Sequence, residues 1–555
     1  MPVMTGSRYF AEAMQAYGVS HVFFVPTIVT PALAEMESMS VTRVMAHTEK
    51  AAVYMADGYA RASHRPGICM AQTIGAANLA AGLRDPYLAC SPVIAITGGR
   101  FPETKHRYVY QEIDDYPLFE PLTKFNAQVD IPERLPDLLR QAFRSATTGC
   151  PAPVHLEIAG NFGQAVEGEA DLDAVFEPQF SRFPAVRPQA EPDQIREALR
   201  LLTAVQRPVI VAGGGVTSSL ARAEVVELAE TLGIPVATSL NAKGTIAENH
   251  PLSVGVVGLY SRECTNRVVA EADLVFYVGS RTGSQVTNIW QIPPKGTSVI
   301  QLDIAPEELG RNYPNVMSLC GDCKAVLRQL IERLEHRQPN QQWLDRASHL
   351  VRQWKSEVEA LRNSDAVPLR PERICREVEA SLPENAILVS DTGHSGIWTG
   401  THVELHHPGQ TYLRAAGSLG WGLPAALGAK CAQPDRPVIC FTGDGGFYYH
   451  MAELETALRY GINVVIAVNN NHSLSQETEI FAEAYGGQQH TGLEMWQFRE
   501  QNFARIAEAM GCFGVRVERP EEIRPALQRA LTSDRPAVVD IVSDIDALAP
   551  AAWAP

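Results

Sequence analysis

The sequence predicts an α/β protein made of doubly wound parallel sheets, and three observations carry that prediction. Short β-branched runs recur along the chain with helical patterns between them, those runs are apolar on both faces, and one βαβ segment occurs twice. Parallel strands covered by helices on both sides read in this way, whereas a half-exposed antiparallel sheet would alternate apolar and polar residues.

The elements follow in order. The first residues, MPVMTGSRYFAEAMQAYGVSHVFF, place apolar side chains at helical spacing and lack a basic flank followed by an unbroken apolar stretch, so an export signal is not expected and a cytoplasmic protein is. Strands are expected at Pro92 to Ile96, Pro208 to Ala212, Leu274 to Val278, Val299 to Leu302, Val438 to Phe441, Val464 to Val468 and Ala537 to Val542. Two stretches break the rhythm. One, near 165–192, carries Pro178, Pro184, Pro188 and Pro192; the other, near 334–370, is polar and closes on Pro368 and Pro371. Both read as linkers, which leaves three domains at 1–165, 190–335 and 370–550.

Composition sets outer limits. A chain of 555 residues is long enough for several cores, and 45% apolar with 20% charged residues is the balance of a globular protein. No apolar run approaches the ~18 residues of a membrane span. With 47 Lys plus Arg against 63 Asp plus Glu, the net charge of −16 disfavours nucleic acid as a partner. A phosphate ligand would then be held by backbone dipoles or a metal rather than by a basic face. The ten cysteines lie mostly in apolar runs, as small core residues do. Cys320 and Cys323 form a lone CxxC without the second pair that a zinc site needs.

The repeated segment begins at Arg65-Pro66-Gly67-Ile68-Cys69 and again, 371 residues further on, at Arg436-Pro437-Val438-Ile439-Cys440. Each copy continues into a glycine-containing turn, a helix (Leu79 to Leu88; Ala452 to Tyr460) and a strand, and each follows a helix of small residues, Ala56 to Ala60 and Ala426 to Lys430. The copies differ where chemistry would sit. The second has Gly443-Asp444-Gly445-Gly446 after its strand and Asn469-Asn470-Asn471 at the end of the next one; the first has Thr73-Ile74-Gly75-Ala76. Carboxyl ends of neighbouring parallel strands share one edge, so Asp444 and Asn471, 27 residues apart across a βαβ crossover, are expected side by side. A carboxylate, an amide oxygen and a backbone carbonyl form a hard-oxygen set for Mg²⁺, completed by phosphate oxygens and water. The glycines allow backbone to approach a phosphate at the start of the following helix.

With that motif the sequence resembles the thiamine diphosphate enzymes of 2-oxo acids, whose pattern is GDG, about 25 residues, and Asn-Asn. The resemblance runs along nearly the whole chain and is closest to acetolactate synthase-like members. It is carried by Glu49 through Ala60, Gly75 through Gly98, Leu122-Thr123-Lys124, Arg207-Pro208, Ala272-Asp273-Leu274, Leu302-Asp303-Ile304, Gly417 through Ala426 and Gly443 through Asn471. It implies that 1–165 binds the pyrimidine, 190–335 is a central Rossmann-like domain and 370–550 binds the diphosphate. It also implies a homodimer or homotetramer with the active site between chains.

The family's roles fall on residues of this chain. Glu49 matches the catalytic glutamate that shares a proton with the aminopyrimidine ring, a role helped by partial burial. Asp444, Asn471 and the Ser473 carbonyl match the Mg²⁺ ligands. Leu419 matches the apolar residue that holds the cofactor bent. Asp391, Thr392 and Gly393 match the loop lining the diphosphate, with Gly443, Gly445 and Gly446 beside it. The implied reaction is decarboxylation of a pyruvate-like 2-oxo acid, with the thiazolium as electron sink, followed by protonation or addition to a carbonyl acceptor. Relatives hold FAD, an ADP moiety or nothing in the central domain. Ala212-Gly213-Gly214-Gly215 and Gly279-Ser280-Arg281-Thr282-Gly283 mark the place here, with a tight βα turn as the alternative.

Several positions depart from the acetolactate group. Thr27-Ile28-Val29 stands where that group has a glycine after its proline, and Thr48 separates His47 from Glu49. Gln72-Thr73-Ile74-Gly75 replaces Ser-Gly-Pro-Gly, and His472-Ser473-Leu474-Ser475-Gln476-Glu477 replaces a stretch with a glycine and an aromatic. Thr27, Ile28, Gln72, Thr73, His106, Gln111 and Leu474 are the expected substrate-cavity residues. His106 is a candidate proton donor and, with Arg107, alternatively a solvated loop face. These departures keep open a lyase, decarboxylase or C–C hydrolase acting on a diketone, 2-oxo acid or hydroxyacyl thioester. A reading of another class is a non-catalytic, cofactor-binding regulatory homologue.

Overall fold

The computed structural model describes residues 3–334, 338–488 and 491–555. Residues 1 and 2, the expected end of the central segment at 335, and the adjoining 336 and 337 lie outside the described residues. The chain divides into two compact units, one of Met1–Val186, Ala415–Arg436 and His450–Val464, the other of Arg187–Arg414, Pro437–Tyr449 and Val465–Pro555. Among the described residues, no helix is long and apolar enough to cross a membrane.

The first unit is built on a six-stranded sheet. In spatial order the strands are Thr42–Met45, His21–Phe24, Gly67–Ala71, Val93–Gly99, Val154–Ala159 and Phe125–Val129, every neighbouring pair parallel. Gly67–Ala71, Val93–Gly99 and Val154–Ala159 are buried at every residue; the first reads as an unbroken apolar run, whereas the last carries His155 and Glu157 and was not among the expected strands. Phe10, Met14 and Phe143 fill the core on one face, with Tyr17 stacked on Phe143 at 3.8 Å. The helix Glu49–Ser63 starts where Thr48 Oγ1 accepts the Ala51 N–H at 3.1 Å. Its small residues face the helix Gly422–Ala432, so closely that a Cβ on Gly428 would lie 1.8 Å from the Met55 carbonyl oxygen. The small-residue helices of the two copies are therefore each other's packing partners.

The second unit holds two six-stranded parallel sheets. The central one runs Ser253–Val256, Val236–Thr238, Pro208–Ala212, Leu274–Val278, Ser298–Asp303 and Met317–Cys320. The C-terminal one runs Thr411–Arg414, Ile387–Ser390, Val438–Gly443, Val465–Asn470, Ala537–Val542 and Phe513–Val517. Numbering the strands of each sheet in chain order gives 2-1-3-4-6-5 for both the N-terminal and the C-terminal sheet, and 3-2-1-4-5-6 for the central one. Identical order in two sheets extends the duplication beyond the βαβ segment to the whole sheet. The central order is that of a dinucleotide-binding fold.

The Pro-rich stretch 165–192 holds 3₁₀ turns at Gln164–Glu167 and Pro178–Ser181 and a short strand, Glu169–Asp171, antiparallel to Val3–Thr5. The expected linker near 334–370 is different. It contains a 22-residue helix, Gln341–Arg362, whose Trp343, Ala347, Leu350 and Trp354 pack into a core with Val209, Val211 and Tyr277 of the central sheet. Trp343 Nε1 donates to the Pro208 carbonyl at 2.9 Å. These four buried residues, with partly buried Val351 and Val358 beside them, dock the helix, while charged and polar residues make up most of the remainder and gave the segment its linker-like composition.

Candidate cofactor site

In the first unit, the loops after the carboxyl ends of the parallel strands carry most of the predicted residues. Glu49 opens its helix directly after Thr42–Met45 and is half-buried, and its Oε2 accepts from Asn78 Nδ2 at 3.2 Å. Gly75 lies beside it, where a Cβ would come 2.5 Å from Glu49 Oε1. The segment before Glu49 is fixed by Glu453, a fully buried carboxylate that accepts the His47 N–H at 3.0 Å and the Thr456 hydroxyl at 2.7 Å.

The predicted cavity residues of this unit separate into two kinds. Thr27 and His106 are exposed, and Gln72 and Gln111 are partly exposed, with Gln72 Nε2 donating to the Pro26 carbonyl at 3.3 Å. Ile28 lies wholly inside the core, and the Thr73 hydroxyl and N–H both donate to the Asn161 carbonyl, at 3.2 and 3.1 Å. Asn161 is a residue that the sequence did not single out. Its Nδ2 donates to the Tyr110 carbonyl at 2.5 Å, so it ties the loop containing His106 and Gln111 to the loop containing Gln72 and Thr73. Leu419, half-buried, belongs to the same unit.

In the second unit, Gly443 pairs with Asn469 across the adjacent strands Val438–Gly443 and Val465–Asn470. That register brings Asp444 and Asn471 to one edge. Asp444 is 2% exposed, and burial pushes its carboxyl up to about 7 despite hydrogen bonds from the backbone N–H groups of Gly445 and Ser473. Asn471 is held in place on both sides, its Oδ1 accepting from Ser473 Oγ and its Nδ2 donating to Ser475 Oγ, each at 3.1 Å.

Ser473 forms an isolated antiparallel bridge with Gln497, made by Leu474 N–H to Trp496 O at 2.8 Å and Phe498 N–H to His472 O at 2.6 Å. In that pattern the N–H and C=O of Ser473 itself point away from Gln497. Its N–H bonds Asp444, so its carbonyl faces the same side. The side-chain oxygens of Asn469 and Asn470 are buried and have no hydrogen-bond partner among the described residues.

The chemistry of this donor set fits a hard divalent cation. One carboxylate raised by desolvation, one amide oxygen and one outward-facing carbonyl offer oxygen ligands and leave positions for phosphate and water. A cation would restore the charged form of Asp444. A Cβ at Gly445 would lie 2.5 Å from the end of the Leu474 side chain, and one at Gly446 would lie 2.8 Å from Thr442 Oγ1 and 3.1 Å from the buried Asp391 carboxylate. Asp391, 1% exposed, accepts the Thr392 N–H at 2.8 Å, and Gly393 at φ +67° turns the chain into the helix His394–His402.

Two further residues here were missed by sequence reasoning. His394 packs its Nδ1 3.0 Å from Ser475 Oγ, and burial lowers it to about 4, so the ring is neutral near pH 7. Asp540 accepts from Asn470 Nδ2 at 2.8 Å and from the Phe503 N–H at 3.0 Å, and so steadies the residue before Asn471. Each had a signal: His394 directly follows Asp391-Thr392-Gly393, and Asp540 is a lone carboxylate within the apolar strand Ala537–Val542.

The central glycines are largely explained by packing. A Cβ on Gly213 would lie 2.1 Å from the Gly279 carbonyl oxygen, and one on Gly215 would lie 2.7 Å from the Gly279 Cα. Among the described residues, a Cβ on Gly283 would meet nothing within 4 Å and one on Gly214 would meet Asn241, chain neighbours aside. Cys320 is exposed and Cys323 buried.

Comparison with known proteins shows the family. "Thiamine pyrophosphate enzyme, N-terminal TPP binding domain" matches residues 4–118, the family's central domain matches 195–330, and its C-terminal TPP binding domain matches 391–541. The chain belongs to the thiamine pyrophosphate enzyme family. It is an enzyme whose chemistry rests on thiamine diphosphate, and it is acetolactate synthase-like along nearly its whole length. It is 34% identical to the probable acetolactate synthase large subunit of Methanocaldococcus jannaschii, over 98% of this chain and 92% of that one. It is 31% identical to the acetolactate synthase large subunit of Corynebacterium glutamicum, over 98% and 87%. With the acetolactate synthase isozyme 1 large subunit of Escherichia coli the identity is 30%, over 98% and 94%.

Proposed function

We propose that this protein holds thiamine diphosphate through Mg²⁺ bound by Asp444, Asn471 and the Ser473 carbonyl, decarboxylates a pyruvate-like 2-oxo acid and joins the remaining acyl carbons to a second carbonyl compound. The observation that carries the reading is the strand register that sets the buried Asp444 carboxyl and Asn471 at one sheet edge. When bound, thiamine diphosphate supplies an electron sink for the bond next to the substrate carbonyl. The rest falls to the chain's own groups. Glu49 shares a proton with the aminopyrimidine ring, and its half-buried position beside Gly75 leaves it reachable. Gly443, Gly445 and Gly446 let backbone approach the diphosphate together with Asp391, Thr392 and Gly393, and Leu419 offers the apolar surface against which the cofactor bends.

In this reading 1–165 takes the pyrimidine, 190–335 is central and 370–550 takes the diphosphate. The working assembly is a homodimer or homotetramer in the cytoplasm. Exposed Tyr108 and Tyr110, at 101% and 81%, support association of chains through the loop they share. FAD enters only through the resemblance, since Gly213 and Gly215 already serve packing, and flavin absorbance of the purified protein decides it.

A second reading, a lyase or C–C hydrolase, is favoured by the loop 472–477, where Leu474 packs against Gly445 in place of a glycine and an aromatic. Product identification from pyruvate with Mg²⁺ and thiamine diphosphate separates the two. Acetolactate supports carboligation. Inertness to pyruvate with turnover of a diketone or thioester supports the second reading, and no turnover across a panel of 2-oxo acids and aldehydes would make the protein a non-catalytic homologue.

A further inference from the structure

Asp85 lies in the helix Ala76–Leu88, which also carries Asn78, and is 1% exposed. Its carboxylate accepts three consecutive backbone N–H groups: Ala416 at 2.9 Å on Oδ1, and Gly417 at 3.1 Å and Ser418 at 2.9 Å on Oδ2. Arg61 Nη2 reaches Asp85 Oδ1 at 3.3 Å while also binding Asp57 Oδ2 at 2.6 Å. Asp57, wholly buried, accepts in turn from Trp421 Nε1 at 2.9 Å, and the Arg61 guanidinium lies 4.8 Å from the Trp421 ring centre.

Leu419 therefore sits between two fixed points. The three residues before it are tied to Asp85, and Trp421, two residues after it, is tied to Asp57. Gly420, at φ +87°, makes the turn between them. A buried carboxylate is costly unless it is paired and fully hydrogen-bonded, and this one has both an arginine and three amide donors. Among the described residues outside its chain neighbours, nothing lies within 4 Å of where a Cβ on Gly417 would be.

We propose that Asp85 is a positioning residue for the cofactor's apolar support: it fixes the 416–418 backbone and so holds Leu419 at the height at which that side chain meets the cofactor. This rests on the reading of Leu419 given above. The helix carrying Asp85 follows the strand Gly67–Ala71 in one copy of the repeat, and the loop it grips precedes the helix of small residues in the other. One copy thus sets the shape of a cofactor-contacting loop that belongs to the other.

The test compares wild type, Asp85→Asn, Leu419→Ala and the double variant. Amide hydrogen exchange is measured on the cofactor-free protein, and kcat and the KM for thiamine diphosphate on the loaded enzyme. Asp85→Asn is expected to speed exchange at 416–418 by about tenfold or more. It is also expected to raise the cofactor KM and lower kcat, and to add little once Leu419 is already Ala. Ser418→Pro, which removes one donor and leaves the Asp85–Arg61 pair intact, should repeat the cofactor effect should Asp85→Asn fold poorly. A folded Asp85→Asn or Ser418→Pro enzyme with kcat and cofactor KM within about twofold of wild type would overturn the proposal, as would additive losses in the double variant. Unchanged kcat and KM in Leu419→Ala would instead overturn the reading of Leu419, and the proposal with it.

Discussion

Gly58 meets the backbone of Ala425 so closely that a Cβ on it would lie 2.0 Å from the Ala425 carbonyl oxygen. The two residues come from equivalent helices of a duplicated unit, and their contact joins the helix that begins with Glu49 to the helix that follows Leu419. No side chain longer than hydrogen fits there without displacing one helix.

Gly58→Ala should therefore destabilise the protein by about 1–3 kcal/mol, the range for a side chain forced into a filled core. Urea unfolding monitored by circular dichroism checks this. A midpoint equal to that of wild type would mean that the helices separate at no cost.

Glu49→Gln keeps the shape and the contact with Asn78 but cannot share a proton as a carboxyl does. Turnover should fall by about 10²–10⁴-fold, the usual worth of general acid–base assistance, while the cofactor dissociation constant changes little. Stopped-flow carbon dioxide release together with titration calorimetry measures both. Full activity in this variant would remove Glu49 from the mechanism.

A third expectation concerns acid. His155 is fully buried, with Nδ1 2.7 Å from Asn126 Oδ1 and Nε2 2.8 Å from Thr97 Oγ1. Asn126 Nδ2 donates to the Tyr116 carbonyl, so Oδ1 is the atom facing the ring; Nδ1 must carry the proton and Nε2 must accept from Thr97. Burial lowers this imidazole to about 3. Because the folded form binds the proton less tightly than the unfolded one, the neutral ring's contribution is present above about 6.5. It is lost as pH falls from there toward 3, at up to about 1.4 kcal/mol per pH unit. Chemical denaturation between pH 7 and 4 should show wild type losing stability more steeply than His155→Gln, the difference reaching up to about 1.4 kcal/mol per pH unit. Equal slopes would contradict the assignment.

What could be read from the sequence, and what could not, follows from how local each signal is. Pro208–Ala212, Leu274–Val278 and Ala537–Val542 are strands at the expected residues because a fully buried parallel strand writes itself as a contiguous β-branched run. The helix Gln341–Arg362 was hidden because its buried stripe is only four residues among many charged ones. The placement of Asp444 and Asn471 at one sheet edge was legible because one crossover fixes their spacing and glycines mark the turn.

Asp85, Asn161 and Asp540 were not. Each works through hydrogen bonds to backbone or amide groups distant in sequence, such as Ser418 for Asp85, and single residues do not announce such partners. Their one trace is a polar side chain where the surrounding pattern calls for an apolar one, as for Asp85 in a helix otherwise buried through Leu79, Leu83 and Pro86.

In the proposed function, the Asp444–Asn471 edge binds thiamine diphosphate through a divalent cation. Calorimetric titration of the cofactor into wild type and Asp444→Ala, each with Mg²⁺ and with a chelator, tests it most directly. The account predicts binding that needs Mg²⁺ in wild type and is weakened at least about 100-fold in Asp444→Ala, with Asn471→Ala behaving in the same direction. Equal affinity with and without the cation, or in wild type and Asp444→Ala, would contradict it.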